Sequence, residues 1–207
     1  MAAAIPSIAC IGVIGRNNNP LHITIFPSHD SNNSNNANAR PNPLRTPLQF
    51  SLLLSSTLDV FEARARNAAA SPGTMLSGEY GLLHAVDERL AAYGFETNTG
   101  VKFVAVVDMR GRSTAAITTG TGAARAGMGG GGGGVGGGGG IGLRDGELKP
   151  IFKAMQTAYV RLLQNPFYDP DEHAPLGGRG GRKITSRRFA EEMRRIGEVW
   201  APGVTNL

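Results

Sequence analysis

Residues 8–14 read Ile, Ala, Cys, Ile, Gly, Val, Ile, a short and nearly unbroken apolar run. Its length and β-branched content predict a strand buried on both faces. A polar turn with Asn17, Asn18 and Asn19 leads into 21–26, where Leu21, Ile23 and Ile25 alternate with His22 and Thr24. That alternation predicts a second strand with one apolar face. The short connection predicts that the two strands pair as a hairpin. Further on, Phe50, Leu53, Leu54, Thr57, Leu58 and Phe61 fall at helical spacing. They predict a helix over about 48–64 with one stripe toward a core.

Three more strands are predicted. Residues 80–86 are apolar but interrupted by His84. Residues 90–97 put Tyr93, Phe95 and Thr97 on one face and Gly94 and Glu96 on the other. A turn at Asn98, Thr99 and Gly100 joins them to 101–107, the strongest strand in the chain, which Asp108 is expected to close. A second helix carries Leu148, Ile151, Phe152, Met155, Tyr159, Leu162 and Leu163. It starts either with Asp145 as its cap or with Pro150 at its first helical position, and Asn165–Pro166 stops it. A third helix aligns Phe189, Met193, Ile196 and Trp200, with Glu191–Arg195 and Arg188–Glu192 as i,i+4 pairs on the other side. The first and fifth strands are the most uniformly apolar, so they belong at the sheet centre. Hairpin pairing then predicts an α+β domain with a five-stranded antiparallel sheet, order 2-1-5-4-3, and three helices, in the sequence β-β-α-β-β-β-α-α.

Composition adds inserts to this picture. Glycine supplies 30 of 207 residues, and 15 of them crowd into the 23 positions 120–142. Residues 28–43 are mostly Ser, Asn, Ala and Pro. Neither stretch buries enough apolar surface to offset its ordering entropy. The chain therefore reads as a single domain over 1–207, with low-complexity inserts at about 27–47, 109–143 and 172–183. Nowhere do 18 apolar residues run together, so no transmembrane helix is expected. The apolar N-terminus lacks a positive flank and is not read as a signal peptide. Cys10 is the only cysteine, which excludes a disulfide framework and fits a reducing compartment. Of the net charge of +5, residues 177–207 carry +4, from seven Arg and Lys against Glu191, Glu192 and Glu198. The basicity is a C-terminal feature.

The search for chemistry returns little. Gly142 is followed by Leu143 and Arg144, whereas a phosphate loop needs Lys and Ser or Thr there. The Gly-rich tract reads as a flexible linker, and no cofactor is expected. His22, His29, His84 and His173 are scattered. Asp169, Asp171, Glu172 and His173 form the one acidic cluster with a histidine, and a solvated loop is expected there rather than a metal site. Cys10 reads as a buried apolar filler. Asn165, Pro166, Phe167 and Tyr168 form a structural motif ending a helix, with Phe167 and Tyr168 expected to tuck onto the sheet. The Arg/Gly stretch from 177 to 183 lacks interleaved aromatics, so no nucleic-acid contact is expected.

Several strings, in this order, resemble one family. "IACIGVIGRNNNPLHITIF" is similar to its opening hairpin and "LQFSLLLSSTLDVFEAR" to its first helix. "YGFETNTGVKFVAVVD" is similar to its fourth and fifth strands, and "LRDGELKPIFKAMQTAYVRLLQNPFYDP" to its long helix. The family is the sedlin-like subunits of TRAPP, the trafficking protein particle complex. The resemblance covers about two thirds of the chain and implies a longin-like fold with no enzymatic activity. It implies other TRAPP subunits as partners and an indirect link to a Rab GTPase. The implied place is cytoplasmic, peripheral at Golgi and endoplasmic reticulum–Golgi membranes, with membrane association only through the complex. Asp59, in the string Ser-Thr-Leu-Asp-Val-Phe, matches an acidic position on the family's first helix associated with partner contact. Leu52 and Glu62 are expected near the same interface. The inserts depart from the family, whose loops are short there. The readings held against this one are a stand-alone longin-type module for GTPase binding or membrane fusion, and an Arg-rich nucleic-acid binder.

Overall fold

The computed structural model describes residues 4–28, 43–70, 81–113, 143, 145–173 and 181–207. Its elements run β1 (Ala4–Ile14), β2 (Pro20–Ile25), α1 (Pro47–Ala70), β3 (Gly81–Ala85), β4 (Leu90–Glu96), β5 (Lys102–Ser113), α2 (Asp145–Leu163), α3 (Pro170–His173) and α4 (Arg187–Val199). The strands form an antiparallel sheet in the order β2-β1-β5-β4-β3, as expected. The two most apolar segments lie side by side at its centre, with Ile11 opposite Ala105 and Val13 opposite Phe103. Helices cover both faces. α1 packs on one, with Phe50, Leu53, Leu54 and Phe61 against Cys10, Val104 and Val106. α2 and α4 pack on the other, with Phe152, Met155, Phe189, Met193 and Trp200 against Ile11, Phe103 and Val107. This two-sided cover explains why every position from Val101 to Asp108 is buried.

Both central strands are longer than the apolar runs that announce them. β5 continues past Asp108 to Ser113, and β1 starts at Ala4. The two extensions pair with each other, Ala4 opposite Ser113 and Ile5 opposite Arg112. Hydrogen bonding there does not need apolar side chains, so the pattern misses it. Residues 109–113, read as the start of the second insert, thus belong to β5. Residues 43–46 lead directly into α1, which starts at Pro47 inside the span read as the first insert. The Gly-rich tract at 120–142 and most of the other two inserts lie outside the described residues.

On β2 the predicted alternation breaks. Leu21 joins the cluster beneath α2 and α4, while Ile23 and Ile25 pack on the α1 side. The cause is a register shift, since Val13 faces His22 but Ile14 faces Pro20. Leu21 is the extra residue of a bulge, which turns one side chain to the opposite face. Its carbonyl accepts a hydrogen bond from the Ile184 N–H (2.8 Å), so the segment before α4 covers part of the β2 edge.

α2 begins at Asp145 and carries Pro150 inside, which resolves its start. The missing N–H of Pro150 deprives the Gly146 carbonyl of an intrahelical bond, and Gly146 is exposed to solvent there. On α4, Ser186 is the N-cap, its hydroxyl accepting from the Phe189 N–H. Neither predicted ion pair of α4 forms as expected. Glu192 is taken by Arg195, at 2.8 and 3.2 Å, and Glu198 by Arg194, at 2.8 Å. Glu192 faces α2, where Arg161 also approaches it. Trp200 closes the fold by donating from its indole N–H to the Glu147 carbonyl (3.2 Å) at the start of α2.

The NPFY segment differs from expectation. Phe167 does not tuck onto the sheet: it is 95% exposed. Asn165 accounts for this, because its Oδ1 accepts from the Phe167 N–H (3.2 Å) and its carbonyl from the Tyr168 N–H (3.0 Å). The resulting turn, with Pro166 at its second position, directs its third residue outward. Tyr168 does pack inward, stacking on His173 with ring centroids 4.6 Å apart. His173 belongs to the short helix α3, which the apolar pattern did not predict. It is buried rather than solvated, with Nδ1 2.7 Å from the Arg182 carbonyl.

Candidate protein-interaction surface

α1 is positioned by the residues that precede it. Thr46 caps it: the Thr46 hydroxyl accepts from the Gln49 N–H (3.3 Å), and the Gln49 side chain accepts from the Thr46 N–H (2.9 Å). This reciprocal pair satisfies two backbone donors at once, and Pro47 fits the first helical position, where no N–H is needed. Arg45 anchors the same segment to the β3–β4 turn through Asp87 (2.5 Å). Asp87 also accepts from the N–H groups of Leu90 (2.6 Å) and Arg89 (2.7 Å). Burial is the largest single influence on its pKa and raises it, but these backbone bonds and the Arg45 guanidinium together outweigh it and hold the carboxyl below its ordinary value.

The inner face of α1 is fixed by shape. A Cβ on Gly12 would come within 2.8 Å of the Leu54 side chain, and one on Gly94 within 2.7 Å of the Phe61 ring. These two strand glycines let the helix lie close to the sheet. Thr57 is buried on this face with its hydroxyl satisfied by the Leu54 carbonyl (2.6 Å). Cys10 lies beneath α1, fully buried as expected, and burial pushes its thiol pKa far up, so it stays protonated and unreactive.

With that face committed, the opposite one is open. Leu48, Leu52, Ser55, Asp59, Glu62 and Arg66 are all exposed, at steps of four, three, four, three and four. Such spacing places them in one stripe along the helix. Leu48 and Leu52 are 69% and 62% exposed, unusual values for leucine on a helix. Glu62 is held by Arg66 one turn on (3.3 Å). Asp59 makes no hydrogen bond or ion pair among the described residues. The structure thus brings Leu52, Asp59 and Glu62 together on one exposed surface, apolar at one end and charged at the other. Asn165, Pro166, Phe167 and Tyr168 lie elsewhere, at the end of α2 on the opposite face of the sheet.

Leu48 extends the stripe and was not singled out from the sequence, although it sits four residues before Leu52. The Arg45–Asp87 anchor leaves no local signal, because its partners are 42 residues apart. Among the described residues no three His, Cys, Asp or Glu side chains are gathered to hold a metal ion, and no helix is long and apolar enough to cross a membrane.

Known proteins bear on this surface. The family model for sedlin matches residues 13–199, from the last two residues of β1 to the last residue of α4. The trafficking protein particle complex subunit 2-like protein of Dictyostelium discoideum is 24% identical over 186 residues, covering 90% of this chain and 93% of its own. The mouse protein of the same name is 26% identical over 180 residues, covering 87% of this chain and 89% of its own. The Xenopus tropicalis counterpart is 24% identical over 163 residues. The match spans β2 to β5 and every helix, so this chain belongs to the sedlin family, with its longin-like fold.

Proposed function

We propose that the protein is a non-enzymatic subunit of a TRAPP vesicle-tethering complex, acting through protein–protein contacts. In this reading it serves endoplasmic reticulum–Golgi and intra-Golgi transport. It supports assembly of a Rab exchange factor and reaches membranes only through the complex. Its relatives bear the name of a complex subunit over nine-tenths of this chain, and that is the observation that carries the reading. The α1 stripe adds physical support. A leucine pair beside an unpaired carboxylate, on a helix whose other face is rigidly seated, suits a protein interface with an apolar centre and a charged rim. Leu52, Asp59 and Glu62 are the residues proposed to touch a neighbouring subunit. The chain is read as one domain, with its inserts as additions to it.

The test is affinity purification of the tagged full-length chain from its own cells, followed by mass spectrometry. Recovery of a stoichiometric set of TRAPP subunits supports the reading. A chain that elutes alone, at the size of a monomer, overturns it.

A further inference from the structure

A second surface lies on the other side of the sheet from the α1 stripe. It is a groove of about 600 Å3 between the end of α2 and the first turns of α4, within the usual range of ligand sites. Ala158, Leu162 and Phe189 make an apolar floor, and all three are buried in the core beneath. Arg161 and Arg188 stand at the rim.

The charge of that rim is unbalanced. Its carboxylate, Glu192, is already held by Arg195 and lies 4.0 Å from Arg161. Arg188 also acts on Glu192 through its charge, so Arg161, Arg188 and Arg195 share that one carboxylate. The first turn of α4 holds no acidic residue, and Arg187 and Arg188 sit there instead. A cation at a helix N-terminus is opposed by the positive end of the macrodipole. Glu192 offsets only part of this charge, and positions that break a local rule in this way are where function is expected.

We propose that the groove between α2 and α4 binds a short acidic peptide segment of a partner protein, seating an apolar side chain on Ala158, Leu162 and Phe189 and its carboxylates on Arg161 and Arg188. The two halves of the site select the ligand together. A free phosphate or a lipid head group would satisfy the arginines but leave the apolar floor wet. A neutral apolar peptide would cover the floor but desolvate two guanidinium groups whose one nearby carboxylate, Glu192, is already shared with Arg195. An acidic segment with one bulky apolar residue satisfies both. Because the α1 stripe lies across the sheet, this contact is separate from the proposed subunit interface and does not rest on it.

The test uses the purified full-length protein and fluorescein-labelled hexapeptides with a central Leu or Phe flanked by Asp, read by fluorescence anisotropy. Micromolar binding that weakens with added salt is expected. Asn-for-Asp peptides, and peptides with Ala at the central position, should each bind about tenfold more weakly. The exposed pair Arg161→Ala/Arg188→Ala should lose binding to a similar degree, while its circular dichroism melt confirms an unchanged fold. Absence of binding, or equal binding by the double variant, overturns the proposal. So does tighter binding to vesicles containing phosphatidylserine than to any peptide, lost in the same variant, which would assign the groove to membranes. All of these are read on the isolated chain, so they stay distinguishable from failure to enter a complex.

Discussion

Arg89 grips Asp108 with two parallel hydrogen bonds, Nε to Oδ1 and Nη2 to Oδ2, each 2.7 Å. Asp108 is 3% exposed and also accepts the Arg110 N–H (3.0 Å). The pair explains how β5 carries a carboxylate through the sheet and continues to Ser113. Two-pronged geometry and a third donor offset the desolvation of the charge. Asp108→Ala should therefore destabilise the protein by about 3 kcal/mol, since it leaves the partly buried guanidinium without its carboxylate. The double variant Arg89→Met/Asp108→Leu should recover much of that loss. Urea unfolding midpoints measure both, and a single variant as stable as the parent contradicts the account.

His22 predicts a pH dependence. Its imidazole lies edge-on to Phe189, with centroids 5.3 Å apart, and its Nε2 is 2.7 Å from the Thr24 hydroxyl. Burial lowers its pKa below the ordinary 6.5. The unfolded chain then takes up a proton first on acidification. His22 should erode stability as pH falls below 6.5 toward its folded pKa, and contribute no slope above 6.5. His22→Gln should flatten that limb of the melting-temperature profile. An unchanged slope in the variant would show that the ring stays hydrated.

Asp59 and Leu52 separate interface from fold. Both are exposed and outside the core, so Asp59→Tyr and Leu52→Asp should change stability by about 0.5 kcal/mol or less. Each should reduce recovery of the tagged chain with complex subunits. Wild-type recovery of both variants would remove the α1 stripe from the proposed interface.

Two phenylalanines should behave oppositely. Phe167, standing out on its turn, should tolerate Ala with a change of about 0.5 kcal/mol or less. Phe50, with no exposed surface beneath α1, should cost about 3–5 kcal/mol on the same truncation. Thermal melts of the two variants, run side by side, check the turn geometry.

Gly94 should resist any side chain. An added Cβ would meet the Phe61 ring and the Leu83 side chain, both packed in the core beneath α1. Gly94→Val should cost about 1–3 kcal/mol through overpacking. Because the strain falls on Phe61, hydrogen exchange should speed up in α1 before the rest of the sheet.

The sheet order was legible from the chain because it follows from hydrophobic content together with the pairing of consecutive strands as hairpins. Residues 8–14 and 101–107 are apolar on both faces, and only the middle of a layer covered on two sides satisfies both. The buried stripes of α1, α2 and α4 followed from periodicity in the same way, except that Leu163, at the end of the α2 stripe, is 40% exposed. Four-part resemblance in register carried the family. Tertiary structure alone decided where rules of period fail. The bulge at Leu21 depends on the pairing with β1, and the run of β5 to Ser113 depends on a partner strand more than 100 residues away. Phe167 turns outward because Asn165 hydrogen-bonds the backbone around it, a competition between side chain and sheet that hydrophobicity does not encode. The groove at Arg161 and Arg188 exists only because two helices distant in the chain meet there. Local pattern specifies which face of an element is dry, but a site made by two elements appears only when packing brings them together.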